Sequence, residues 1–131
     1  MNEHPRTLTK SEMLVMNVLW SMNRSACVND VLAAYNEPKP AYTTIATFLK
    51  ILTQKGFVEA KKGSGKQLVY TPLMTKDRYR HLVMNEVKDS LFDGSVKSLV
   101  DHFVREESLS AEELEELLNM IKEHAHDEHA A

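Results

Sequence analysis

Residues 41–71 read AYTTIATFLKILTQKGFVEAKKGSGKQLVYT, and the apolar period changes once inside this stretch. Ile45, Phe48, Leu49 and Leu52 recur at i, i+3, i+4 and i+7, which predicts a helix with one buried face. Gly56 stands where a helix leaves through the left-handed region. Phe57–Lys62 and Lys66–Thr71 then read as two strands around Gly63-Ser64-Gly65, a hairpin with a flexible tip.

Upstream, Thr9-Lys10-Ser11-Glu12 has the spacing of a capping box. Leu14, Val15, Val18, Leu19 and Met22 continue it as one apolar face, so a helix is expected from Lys10 to Ser21. After a break at Asn23-Arg24-Ser25, Val28–Tyr35 reads as a short second helix, with Val28, Val31, Leu32 and Tyr35 inward. Asn36-Glu37-Pro38-Lys39-Pro40 ends it. Helix, helix, helix and hairpin in this order are the layout of a winged helix-turn-helix.

Downstream, Pro72-Leu73-Met74-Thr75 reads as a linker. Lys76–Phe92 carries a stripe of Tyr79, Val83, Val87 and Leu91, closed by Asp93-Gly94. Ser95–Glu107 carries Val96, Leu99, Val100, Phe103 and Val104 on one side. Ser110-Ala111-Glu112-Glu113 is a second capping box, opening a helix with Leu114, Leu117, Leu118 and Ile121 inward. The expected class is mainly α (α+β): a winged-helix domain over 1–72, a linker at 73–75, a helical segment over 76–123 and a flexible tail over 124–131. Three amphipathic helices in about 50 residues are too few to close a core alone, so this segment is expected to pair with a second copy.

At 131 residues with 43% apolar side chains, four Gly and four Pro, the chain can pack a core. One cysteine, Cys27, excludes an internal disulfide framework and suits a reducing compartment. There is no signal-peptide pattern and no apolar run of bilayer length, so a cytoplasmic protein without membrane insertion is expected. The net charge of −3 conceals a split. Residues 1–81 hold 12 Lys and Arg against 6 Asp and Glu, and residues 82–131 hold 4 against 13. A basic first part wants a polyanion, and the acidic second part serves some other purpose.

Opposite its apolar face the third helix presents Thr43, Thr47, Lys50 and Gln54, with Tyr42 at its start and Thr44 and Ala46 at the edges. Short or flexible polar groups of this kind suit base edges and phosphates in a major groove. A solvated helix surface has the same composition; the preceding helix pair and the following basic hairpin favour double-stranded DNA. Lys61, Lys62 and Lys66 would lie along the phosphate backbone, although lysines also blunt exposed strand edges.

Other motifs fail. Gly63-Ser64-Gly65-Lys66 resembles the end of a P-loop, but Gln67 replaces the required Ser or Thr and the upstream glycine is missing. His124, His126 and His129 admit no H-E-x-x-H, and a hydrated tail is the plainer reading. Cys27 reads as a small packing residue. His81 and His102 lie in no acid–nucleophile constellation. No enzyme, metal site or cofactor is expected.

Four stretches together resemble the penicillinase and methicillin-resistance repressors of the BlaI/MecI type. They are LTKSEMLVMNVLW (8–20), TTIATFLKILTQKGFV (43–58), KGSGKQLVYTPL (62–73) and FDGSVKSLVDHFVREESLSAEELEELLNMI (92–121). The resemblance implies a homodimeric transcriptional repressor, with the winged helix on an inverted-repeat operator and the C-terminal helices joining the dimer. It also implies a membrane-linked, zinc-dependent sensor protease as partner, through which the repressor is cut between positions aligned with His102 and Phe103. The chain departs from the family pattern at His102, where asparagine is usual, and at Thr43 and Ile51, where basic residues are common. The cysteine-rich ending of copper-responsive relatives is absent. Two alternatives stay open on the residues: a repressor released by ligand or metal sensing, and a winged-helix module that binds protein.

Overall fold

The computed structural model describes residues 7–106 and 109–130, the last four as backbone only. α1 (Lys10–Met22) begins on a completed capping box. The Thr9 hydroxyl accepts from Glu12 N at 3.2 Å, and the Glu12 carboxylate accepts from Thr9 N at 3.0 Å. Asn23, at φ 55°, ends the helix. α2 (Val28–Ala33) stops two residues before the expected Tyr35. Its last carbonyls are taken by a side chain: Lys39 Nζ donates to Leu32 O at 2.9 Å and to Tyr35 O. An ammonium at this end also complements the helix dipole. α3 (Tyr42–Lys55) runs to Gly56, whose φ of 86° sends the chain back under Leu52 into the hairpin.

β1 (Val58–Lys62) and β2 (Leu68–Pro72) pair antiparallel with Ala60 opposite Tyr70. The far edge of β2 is also occupied. Ala26 and Tyr70 exchange backbone hydrogen bonds of 3.0 and 2.8 Å, and the Ser25 and Thr71 hydroxyls meet at 2.6 Å. The hairpin is therefore bolted to the α1–α2 connection, leaving its tip projecting. Val15, Met16 and Leu19 of α1, Val31 of α2, Ile45, Leu49 and Leu52 of α3, and Phe57, Val58 and Tyr70 make one buried cluster. This is a winged helix.

The chain divides into two compact units, Met1–Met84 and Asn85–Ala131. The first extends past the expected boundary at residue 72 because α4 (Lys76–Leu91) begins inside it. Tyr79 requires a correction. Its spacing places it with the pairing face of the last helices, yet it is 7% exposed and belongs to the winged-helix core. Its ring meets Phe57 edge-on at 5.7 Å and Trp20 at 6.0 Å, and its hydroxyl accepts from Leu8 N at 2.7 Å. Val83 packs against the same cluster. The expected linker is held down as well: Trp20 Nε1 donates to Met74 O at 2.9 Å and Leu73 N to Phe57 O at 2.8 Å.

In the second unit, Asp93 (φ 51°) and Gly94 (φ 78°) turn the chain from α4 into α5 (Val96–Glu106). Ser95 caps α5 by accepting from Ser98 N at 3.0 Å. Glu107, the expected last residue of that helix, lies outside the described residues. α6 (Ala111–Ala130) starts on the second capping box, with Ser110 and Glu113 exchanging bonds of 2.9 and 3.1 Å. The tail expected to be flexible from residue 124 continues this helix to Ala130. Nothing in HAHDEHA breaks a helix, and two alanines favour it. Among the described residues no helix is long and apolar enough to cross a membrane.

Candidate nucleic-acid interface

α3 faces two ways. Ile45, Leu49 and Leu52 are buried, while Tyr42, Thr43, Thr44, Thr47, Lys50 and Gln54 are all exposed. At 100° per residue, Thr43, Thr47, Lys50 and Gln54 fall within one stripe and Tyr42 and Thr44 flank it on opposite sides. Tyr42 sits towards the hairpin, close enough to Tyr70 to act on its ionisation. Burial, assisted by Tyr42, pushes the Tyr70 phenol above its ordinary value of 10.0, so Tyr70 stays neutral in the core. Thr44 looks the other way, into a groove lined by Ser11, Leu14, Tyr35, Pro38, Pro40 and Phe48. The stripe thus has the four members that its spacing predicts, three of them uncharged.

The wing separates its lysines. Alternation along β1 puts Glu59 and Lys61 on one face and Lys62 on the other. Lys61 Nζ lies 3.2 Å from Glu59 Oε1, which neutralises part of its charge. Lys62, Lys66 and, on α3, Lys50 have no ion-pair partner among the described residues. Gly63 and Gly65 shape the tip that carries Lys66. A Cβ on Gly63 would meet Val69 Cγ1 at 2.9 Å, and Gly65 has φ 68°. Gly63 N closes the turn on Gln67 O at 2.7 Å.

Two contributors were invisible as sequence patterns. Ala26 carries no functional group, yet its backbone fixes the root of the wing. Lys39 reads only as part of the run that ends α2, yet its ammonium is spent on the carbonyls there.

On the second unit, His102 and Phe103 lie in the middle of α5, exposed. The His102 ring stands 5.6 Å from Phe92 and 5.7 Å from Phe103. Arg105 Nε donates to both oxygens of Asp101, at 2.9 and 3.0 Å, bracing the helix across the bond between them. Leu91, Val96, Val100 and Phe103, and Leu114, Leu117, Leu118 and Ile121 on α6, are exposed; Val87 and Leu99 are half-buried. His124 and His126 lie on the surface of α6, and the side chain of His129 lies outside the described residues. No cluster of three metal-ligating side chains occurs among the described residues.

A family profile described as penicillinase repressor matches residues 8–123. The methicillin resistance regulatory protein MecI of Staphylococcus aureus strain N315 is 30% identical over 115 residues, covering 87% of this chain and 92% of that protein. The penicillinase repressor of Bacillus licheniformis is 29% identical over 118 residues, covering 89% and 91%. A solved structure titled as a CopR repressor is 31% identical, with a TM-score of 0.43, covering 53% of this chain and 99% of its own. The chain belongs to the penicillinase repressor family, whose members are transcriptional repressors and not enzymes.

Proposed function

We propose that the protein represses transcription as a homodimer, holding an inverted-repeat operator with α3 and the wing of each copy. The observation that carries this reading is the exposed stripe of Thr43, Thr47, Lys50 and Gln54 on a helix whose other face is fully packed, beside a basic wing. Thr43, Thr44 and Thr47 select bases, with Tyr42 at the groove edge. Lys50, Lys62 and Lys66 hold phosphates, and Lys61 contributes less because Glu59 shares its face. Half-sites one helical turn apart, about 34 Å, would match a two-fold dimer.

Dimerisation is supported by the apolar faces of α5 and α6, most of whose residues stay exposed among the described residues. A second copy would bury Leu99, Val100 and Phe103 with Leu114, Leu117, Leu118 and Ile121, joined by Val87, Leu91 and Val96. Derepression follows if a membrane-linked zinc protease leads to cutting at His102–Phe103, since this separates α6 from the DNA-binding unit. The halves would then bind separately and lose the gain of two tethered contacts. The bond is helical, and proteases act on extended backbone, so α5 must open first. Operator binding is therefore expected to slow cleavage; equal rates for free and bound protein would count against this route.

The direct test is binding to a duplex from just upstream of the protein's own gene across a salt series. Competitor-resistant binding with a steep salt slope is expected. Binding no tighter than to random duplex there, and in a genome-wide selection of bound fragments, would overturn the repressor reading.

A further inference from the structure

Glu12 caps α1, but its carboxylate does a second job 43 residues away. Lys55 Nζ donates to Glu12 Oε1 at 2.8 Å, and Thr9 N donates to the same oxygen at 3.0 Å. The Glu12 side chain is only 5% exposed and that of Lys55 30%. Glu12 is the one charged residue in the buried set among the described residues. A buried carboxylate is costly unless paired, so the partner's position is tightly specified. Lys55 is the last residue of α3 and leaves it between the packed and the exposed faces, immediately before the turn at Gly56 into the wing. The pair therefore ties the start of α1 to the junction of recognition helix and wing.

The packed face of α3 is held differently. Ile45, Leu49 and Leu52 pack through apolar surface, which is non-directional and tolerates small rotations of a helix about its axis. A hydrogen-bonded ion pair off that axis is directional, and a rotation that parted it would strand a buried carboxylate. Base readout depends on placing donors and acceptors within fractions of an ångström of base edges, whereas phosphate contacts through long lysines are forgiving.

We propose that Glu12 and Lys55 are positioning residues for sequence readout: their buried pair sets the rotation and height of α3 against α1, and with it which base edges Thr43 and Thr47 meet. The proposal rests on α3 being the reading helix. It assigns the pair no contact with DNA.

The test uses the full chain and two probes, a duplex enriched from a random-sequence library by the wild-type protein and a scrambled duplex of the same length. The double variant Glu12→Gln/Lys55→Met removes both charges together, so no buried charge is stranded and cooperative melting is expected to persist. Its binding to the scrambled duplex and its salt slope should match wild type, while the ratio of the two dissociation constants falls about tenfold, comparable to losing one base contact. Lys55→Arg keeps the pair and should hold the ratio within about twofold. A folded double variant with the wild-type ratio would overturn the proposal, as would a parallel loss on both duplexes, which marks a structural role alone. If the double variant does not melt cooperatively, Lys55→Gln decides against Lys55→Arg: a lower ratio only in the former supports the pair, and equal ratios overturn it. Should wild type enrich no duplex, the reading of α3 itself fails, a result separate from any of these.

Discussion

Leu49 of the first unit is completely buried by residues of its own chain, whereas Phe103 of the second is 48% exposed on a helix with five apolar residues along one side. The first unit packs three helices and a hairpin around a closed cluster and recruits Tyr79 from α4 to finish it. The second has helices as regular and as well capped, but their apolar sides stay open. The difference teaches that amphipathic pattern and burial are separate matters. A pattern states that a face wants cover, and only a partner element in the right place supplies it. In the first unit that cover is intramolecular; in the second it awaits the proposed second copy.

This contrast can be broken by experiment. The largest effect is expected from Leu49→Ala, which should cost about 3 kcal/mol of stability by leaving a cavity in a closed core. Urea titration would show it, with a midpoint loss that does not vary with protein concentration. Phe103→Ala should leave the winged helix intact and weaken self-association by roughly tenfold or more, the equivalent of about 1.5–2 kcal/mol of lost apolar burial. Sedimentation over a dilution series would register this, and a variant that associates like wild type would remove Phe103 from the seam. Tyr79→Phe deletes the hydroxyl that accepts from Leu8 N and should cost about 1 kcal/mol without changing self-association. A change in dimer affinity instead would return Tyr79 to the pairing face.

Acid should act on the first unit through Glu12. Burial alone would raise its carboxyl, but the Lys55 ammonium and the Thr9 hydrogen bonds outweigh it and hold it below its ordinary value of 4.5. The unfolded chain therefore takes up the proton first. The contribution is present above 4.5 and fades as pH falls through that value towards the lower folded one. A melting series should show wild type losing this increment on acidification and Glu12→Gln having none to lose. A smaller effect belongs to Lys62→Ala, which should weaken all duplexes alike and reduce the salt slope by about one unit. Lys61→Ala should do less, because Glu59 already neutralises part of that charge.

Much of the first unit was legible because its signals are local. The capping box at Thr9 and Glu12, the exit through Gly56 and the hairpin around Gly63 and Gly65 each depend on residues within a few positions of one another, where backbone sterics and short hydrogen bonds decide the outcome. The exposed stripe of α3 was legible for the same reason. What could not be read involves partners far apart in the chain. The bridge between Ala26 and Tyr70 leaves no local trace. The pairing of Glu12 with Lys55 across 43 residues is equally silent, since a capping glutamate looks the same with or without a buried lysine.

The sequence by itself determined the element order, the caps, the two faces of each helix and the charge split between the halves. All follow from nearest-neighbour chemistry and from the fixed period of 3.6 or 2. Tertiary structure alone decided where those faces went. Tyr79 has the spacing of a pairing stripe and the surroundings of a core residue, because the bend at Leu73 and Met74 delivers it against Phe57 and Trp20. Val100 and Phe103 have the same kind of spacing and remain open. Burial is a property of the assembled surface, and no period along one helix specifies what stands opposite it.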